Sequence, residues 1–188
     1  MVNSNNNQSS SPPPFGQGLV EIFTGEGKGK TSAALGTVLR ALGHELRVHI
    51  MFFMKGSSYP YGERKLLSQL ANVSFSTYGQ DYFIDPSDIK PHEREEVGQA
   101  LRKAREIIHS GSYDIVILDE INVAVGWKLV DVSEVVELIK GKPWNVELIL
   151  TGRYAVPELI EVADQVTEMV KIKHPYDKGI FARRGIDY

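Results

Sequence analysis

The segment "LVEIFTGEGKGKTSAALGTVLRALG", residues 19–43, changes character twice along its length. Its apolar opening (19–23), rich in β-branched and aromatic residues, reads as a strand. The middle, "TGEGKGKTS" (24–32), holds too much glycine for a strand or helix and carries Lys28 and Lys30. The remainder has helical spacing over 30–42 and reaches a stop signal at Gly43. Strand, glycine loop and helix in that order aim backbone N–H groups and the positive helix end at one point. Such a point holds phosphate.

The loop approximates the pattern G-x-x-x-x-G-K-[ST]. Gly29, Lys30 and Thr31 fit it, while Thr24 stands where the first glycine would be. Gly25 and Gly27 are expected to supply the unusual backbone angles instead. Residues Gly25, Glu26, Gly27, Lys28, Gly29, Lys30, Thr31 and Ser32 then wrap the phosphates of a nucleotide. Lys30 bridges phosphates, and the Thr31 hydroxyl ligates Mg²⁺ (or Mn²⁺). A second apolar run, "DIVILDE" (114–120), ends in Asp119 and Glu120. In open parallel sheets ligands lie beyond the carboxyl ends of the strands, which places both acids near the loop. Asp119 suits metal binding, directly or through water. Glu120 has three open roles: metal ligation, ribose contact, or activation of water. Lys30 and Glu120 are the candidate catalytic residues. The guanine-reading tetrapeptide N-K-x-D occurs nowhere, so the expected nucleotide is ATP.

Further strand-like runs cover 47–54, 72–78, 146–151 and, more weakly, 165–172. Helical patterns cover 63–70, 91–109, 131–140 and 157–163. Pro91 and Pro157 suit first helical turns, Asp131 and Glu134 form a D-x-x-E start signal, and Gly111 marks a stop. Strands alternating with helices predict an α/β protein with a mainly parallel sheet covered on both faces, the three-layer P-loop NTPase (RecA-like) fold. Residues 18–188 read as one domain. Residues 1–17, "MVNSNNNQSSSPPPFGQ", read as a flexible arm too poor in apolar residues to offset their ordering entropy.

The chain has 188 residues, no cysteine and a formal charge of −3. Disulfides and thiolate chemistry are therefore excluded. The charge, with no basic block interleaved with aromatics, argues against nucleic-acid or anionic-membrane partners. No run approaches the ~18 apolar residues of a membrane span, and the expected location is the cytoplasm. The five histidines lack metal-site spacing, and no Ser/His/acid set is evident. These residues leave the reaction open, because phosphate loops serve many chemistries. A small-molecule kinase transferring the γ-phosphoryl group fits them as well as any other enzyme.

Beyond the loop, the sequence resembles the ATP:corrinoid adenosyltransferases of the CobA/BtuR type. The resemblance is carried by "TGEGKGKTSAALGTVLRALGH" with its missing first glycine, "FMKG" (53–56), "GERKLL" (62–67) and "LDEINVAVGWKLV" (118–130). It continues through "LTGRYAVPELIEVADQVTEM" (150–169) to "KHPYDKGIFARRGIDY" (173–188), its most specific part. It implies that the 5′-deoxyadenosyl group of ATP passes to the cobalt of a reduced corrinoid, with triphosphate leaving. Lys28, Lys30, Mg²⁺ and loop amides would stabilise the leaving group, and Glu120 would serve metal or ribose. It further implies a nucleotide bound in reversed orientation, a homodimer, and a flavoprotein-type reductant for the cobalt.

The resemblance also assigns Arg40 to the nucleoside and Arg153 to phosphate, against structural alternatives at a helix surface and a strand end. His174 and Asp177 order the tail, near the nucleotide or merely with each other. Many relatives carry Phe-x-Trp after the third strand, where aromatics press on the corrinoid. Here the stretch reads "YGQDYFID" (78–85), and Tyr82 and Phe83 are candidates for that wedge within a lid over 79–91. Two rivals stand beside the transferase: the kinase, which would release ADP, and an ATP-sensing module that binds without turnover.

Overall fold

The computed structural model describes residues 15–58 and 60–188, so most of the predicted arm lies outside the described residues. The strands are β1 (Val20–Thr24), β2 (Val48–Phe52), β3 (Val73–Thr77), β4 (Ile115–Asp119), β5 (Glu147–Thr151) and β6 (Gln165–Glu168). The helices are α1 (Lys30–Leu42), α2 (Gly62–Leu67), α3 (Pro91–His109), α4 (Ile121–Gly126), α5 (Val132–Lys140) and α6 (Pro157–Val162). A 3₁₀ turn, Pro175–Lys178, stiffens the tail. All strands pair in parallel, in the order β3-β2-β4-β5-β1-β6.

Burial follows from that order. Every residue of the inner strands β2 and β4 is buried, whereas the edge strands β3 and β6 are half-buried or exposed. Side chains alternate across the pleat. Val116 and Leu118 of β4 join the core under α3, α5 and α6, while Ile115 and Ile117 join the core under α1 and α2. Helix α1 meets its core through Ala34, Val38 and Ala41, one stripe at helical spacing.

Two local expectations are corrected. Asp131 stands at the start of α5, but its side chain makes no capping bond. A carboxylate cap occurs instead at α3, where Glu93 accepts the Lys90 N–H at 2.7 Å. Helix α1 stops at Gly43 as expected, with Gly43 itself in right-handed angles and the left-handed turn following at Glu45 (φ 61°). Periodicity gave no helix at 121–126, because Ile121–Val125 of "INVAVG" are buried all round and leave no polar stripe. The resemblance did place a helix after the acidic strand end.

The topology sets β1 and β4 on either side of β5. Their carboxyl ends therefore lie about 10 Å apart, two strand spacings. The loop after β1 and the acidic end of β4 open onto the same edge.

Candidate active site

The phosphate loop leaves β1 at Thr24, whose hydroxyl accepts the Ala155 N–H at 3.3 Å. This is a structural tie for the residue replacing the first glycine. Gly25 and Gly29 take positive φ (96° and 124°), which explains glycine at both. Gly27 is needed for a different reason: a Cβ there would sit 2.6 Å from the carbonyl of Met169, just past β6. The Gly27 N–H donates to that same carbonyl at 2.6 Å, so β6 braces the loop from outside. Helix α1 then starts at Lys30 with no acidic residue in its first turn, leaving its positive end uncompensated by side chains.

Lys30 turns back into the loop, donating to the carbonyls of Gly25 (2.8 Å) and Gly27 (2.7 Å). Burial pulls its pKa down, opposed by the Glu120 carboxylate. Lys28 points the other way and pairs with Asp187 of the C-terminal tail, also donating to the Ile186 carbonyl at 2.7 Å. Glu26 pairs with Arg153 at 3.3 Å.

Asp119 is the hub. Its Oδ1 accepts the Thr31 hydroxyl at 2.9 Å and the Thr151 hydroxyl at 2.6 Å, and its Oδ2 accepts Lys55 Nζ at 2.6 Å. Glu120, next in sequence, takes a left-handed conformation (φ 66°) that starts α4 and aims its carboxylate 3.7 Å from Lys55. The Glu120 N–H donates to Thr151 Oγ1 at 3.0 Å and fixes this turn. Burial, then the neighbouring Asp119 charge, raises the pKa of Glu120.

Two cavities meet at these residues. The larger, ≈ 640 Å³, runs over loop residues 27–32 and is roofed by tail residues 170–176 and 180–183. Glu120 and Arg153 form part of its wall. The smaller, ≈ 310 Å³, shares Lys30, Glu120 and Arg153 and is otherwise mainly apolar, walled by Phe53, Ile84, Trp127 and Tyr154. Tyr154 itself has positive φ (64°), and a Cβ on Gly126 would stand 2.6 Å from Tyr154 Cβ. Only glycine lets that wall close.

The predicted residues therefore divide. Gly27, Lys28, Gly29, Lys30, Thr31, Ser32, Glu120 and Arg153 line one cavity, and Asp119 is bonded to Thr31 beneath it. Gly25 and Glu26 complete the turn. Phe83 reaches the apolar cavity, whereas the Tyr82 hydroxyl pairs with His92 Nε2 at 2.8 Å and stays outside it. Arg40 is not brought in: it lies ten residues along α1 from Lys30, ~15 Å away by helical rise, against Phe15, His44 and Glu147. His174 Nδ1 accepts the Tyr176 N–H, Asp177 pairs with Lys171, and the Asp177 N–H donates to the His174 carbonyl at 3.1 Å, so the two order the tail together through the backbone. Segment 79–91 is anchored to α3 where Glu96 accepts Gly79 N–H and Gln80 Nε2, both at 2.7 Å.

Lys55 and Thr151 received no role from the sequence. Both are polar residues at or just past the end of an apolar strand, the signal that singled out Asp119. Applied to "IMFFMK" and "LILT", it would have found them.

A parallel sheet with a glycine-lysine loop after one strand and an acid ending the strand two places away defines a P-loop nucleotide-binding protein of RecA-like architecture. Solved structures share that fold: the flagellar accessory protein FlaH of Methanocaldococcus jannaschii (TM-score 0.55, 15% identity, 81% of this chain and 71% of that one) is one. The KaiC-like protein PH0186 of Pyrococcus horikoshii is another (TM-score 0.52, 15% identity, 86% and 80%). The chain belongs to the ATP:corrinoid adenosyltransferase BtuR/CobO/CobP family, whose model matches residues 16–188. A corrinoid adenosyltransferase of Sinorhizobium is 38% identical over 92% of this chain and 81% of its own length. One of Escherichia coli K12 is 35% identical over 92% and 86%.

Proposed function

We propose that this chain transfers the 5′-deoxyadenosyl group of ATP to the cobalt of a reduced corrinoid and releases triphosphate. The observation that supports this over phosphoryl transfer is the apolar cavity opening directly beside Lys30 and Glu120. A kinase needs a hydroxyl acceptor and a base at the γ-phosphate. An adenosyl acceptor whose nucleophile is a metal-centred electron pair needs a dry, flat-sided space, because water would compete for cobalt.

In this reaction the cobalt(I) electron pair forms a bond to C5′ of the ribose, and the C5′–O bond breaks with its electrons passing to triphosphate. No protein nucleophile takes part. The protein's task is to align cobalt, C5′ and leaving oxygen, and to stabilise negative charge as it grows. Lys30 has two loop carbonyls as partners, which phosphate oxygens would replace. Lys28 would exchange Asp187 for the polyphosphate. Arg153 stands at the junction of the cavities, suited to the ribose–phosphate region, and Phe83 offers a face to the corrinoid.

Among the described residues no cluster of three or more His, Cys, Asp or Glu side chains can hold a metal unaided. The Thr31 hydroxyl beside Asp119 nonetheless supplies hard oxygen donors, which suits Mg²⁺ or Mn²⁺ bound chiefly by phosphates. Thr31 and Asp119 would hold the ion, with Glu120 beside it. When bound, it supplies Lewis-acid stabilisation of the leaving oxygens. The same reading makes the chain a cytoplasmic homodimer served by a flavoprotein-type reductant. Its test is an anaerobic incubation with ATP, Mg²⁺ and chemically reduced cobalamin. A light-sensitive cobalt–carbon bond is expected, and unchanged cobalamin beside consumed ATP would refute the reading.

A further inference from the structure

Lys55 is held more firmly than a chance ion-pair partner requires. It follows Met54, a non-glycine residue in the left-handed region (φ 54°). Its backbone N–H donates to the Tyr78 carbonyl at 3.0 Å, and its own carbonyl accepts Arg64 Nη2 at 2.9 Å. Arg64 is buried, donates a second bond to the Gly56 carbonyl at 2.6 Å, and lies over the rings of Phe52 and Tyr61 at 5.0 and 4.7 Å. The ammonium of Lys55 sits over the same two rings and ends on Asp119 Oδ2, with Glu120 at 3.7 Å.

This leaves Asp119 with three donors and no carboxylate oxygen free of one. It also places a positive charge against two adjacent carboxylates that would otherwise repel an arriving polyphosphate. The stem of Lys55 borders a further cavity of ≈ 350 Å³ shared with Thr31 and Ser32. Four flexible methylenes can carry the ammonium from Asp119 into that space.

We infer that Lys55 is the built-in counter-ion of the Asp119–Glu120 pair, keeping the cation position closed until a polyphosphate draws its ammonium away. The inference rests on reading Thr31, Asp119 and Glu120 as the cation's holders. It makes metal entry dependent on nucleotide: the free enzyme binds divalent cations poorly, and the loaded one has Lys55 on phosphate oxygens. Removing the charge while keeping the stem, as in Lys55→Met, exposes an uncompensated carboxylate pair that recruits a cation instead.

The test is Mn²⁺ binding by the full-length, nucleotide-free chain, followed by electron paramagnetic resonance. Lys55→Met is expected to bind Mn²⁺ at least about tenfold more tightly than the wild type, since one unit charge is removed beside the site. Lys55→Arg stays at the wild-type level, and adding Asp119→Asn to Lys55→Met abolishes the gain. Equal affinity of wild type and Lys55→Met overturns the inference, and so does a gain that survives Asp119→Asn. Should Lys55→Met fold poorly, Lys55→Gln gives a second readout: Mn²⁺ raises its melting temperature and leaves the wild type unchanged. A Lys55→Gln melting temperature indifferent to Mn²⁺ contradicts the inference. No corrinoid enters either measurement, so an error about the acceptor leaves these results unchanged.

Discussion

The strand-end cluster around Asp119 and the C-terminal tail both use a lysine–aspartate pair, in opposite surroundings. Lys55 and Asp119 have side chains 13% and 1% exposed, and Asp119 is bonded to two threonines as well. Lys28 and Asp187 are 45% and 22% exposed, at the rim of the open cavity. A buried pair is expensive to break because its partner is left desolvated. An exposed pair gains little over water and exchanges readily. The first arrangement seats Asp119 on two threonines, and only a strong competitor such as a polyphosphate would draw Lys55 from it. The second is an exposed contact at the cavity rim, whose lysine can readily exchange its partner.

The largest effect is expected at the loop lysine that faces the Asp119 cluster. Lys30→Ala should reduce adenosyl transfer by about 10²–10³-fold, the scale for losing one donor to developing charge, with circular dichroism unchanged. A tail variant with an equal loss would reverse the comparison.

Acid sharpens it next. Burial, with the Lys103 charge nearby, lowers the pKa of His49 on β2 from 6.5 to about 4. Its ring nitrogens pair with the Ser74 and Ser76 hydroxyls at 2.8 and 3.1 Å. The unfolded chain takes up this proton first, so the stability it represents is full above pH 6.5, drains as pH falls, and is gone below about 4. The total is roughly 3 kcal/mol. Urea unfolding between pH 7.5 and 5 should show most of that loss, and His49→Gln should flatten the slope. The tail contact drains in the same direction but further into acid. Bonds from Lys28 and Arg183 hold the Asp187 carboxyl well below the usual range, so its contribution is lost only at pH below that of ordinary aspartates.

A smaller effect is expected at the apolar cavity. Phe83→Ala should lower kcat/KM for the corrinoid about tenfold with ATP affinity intact. Tyr82→Ala should do less, because its hydroxyl is engaged with His92. Selective loss of ATP affinity would contradict both assignments. Smallest of all, Asp187→Ala should change the KM for ATP by a few-fold at most, as for exposed pairs generally, which steady-state kinetics can resolve.

The same contrast governs what could be read without coordinates. The loop, α1 and the acidic end of β4 were legible because local spacing and the strand-end rule fix where Lys30, Thr31 and Asp119 meet. Five strands were legible as apolar runs between turn signals, and β6 only weakly, its run to 172 ending as a strand at Glu168. The same strand-end signal marks Lys55 after "IMFFM", but its partner Asp119, 64 positions away, is not legible locally. Helix α4, buried all round, has no amphipathic periodicity to detect. Arg40 was placed by resemblance alone, and the straight course of α1 carries it away from the loop. Phe83 separates from Tyr82 only through the hydroxyl's partner on α3, a long-range fact.

The central claim is that the loop holds a leaving group and not a phosphoryl donor. Phosphorus NMR of an anaerobic reaction with Mg·ATP and reduced cobalamin tests it directly. The account predicts intact triphosphate accumulating in step with the cobalt–carbon bond. ADP, or orthophosphate in place of triphosphate, would contradict it.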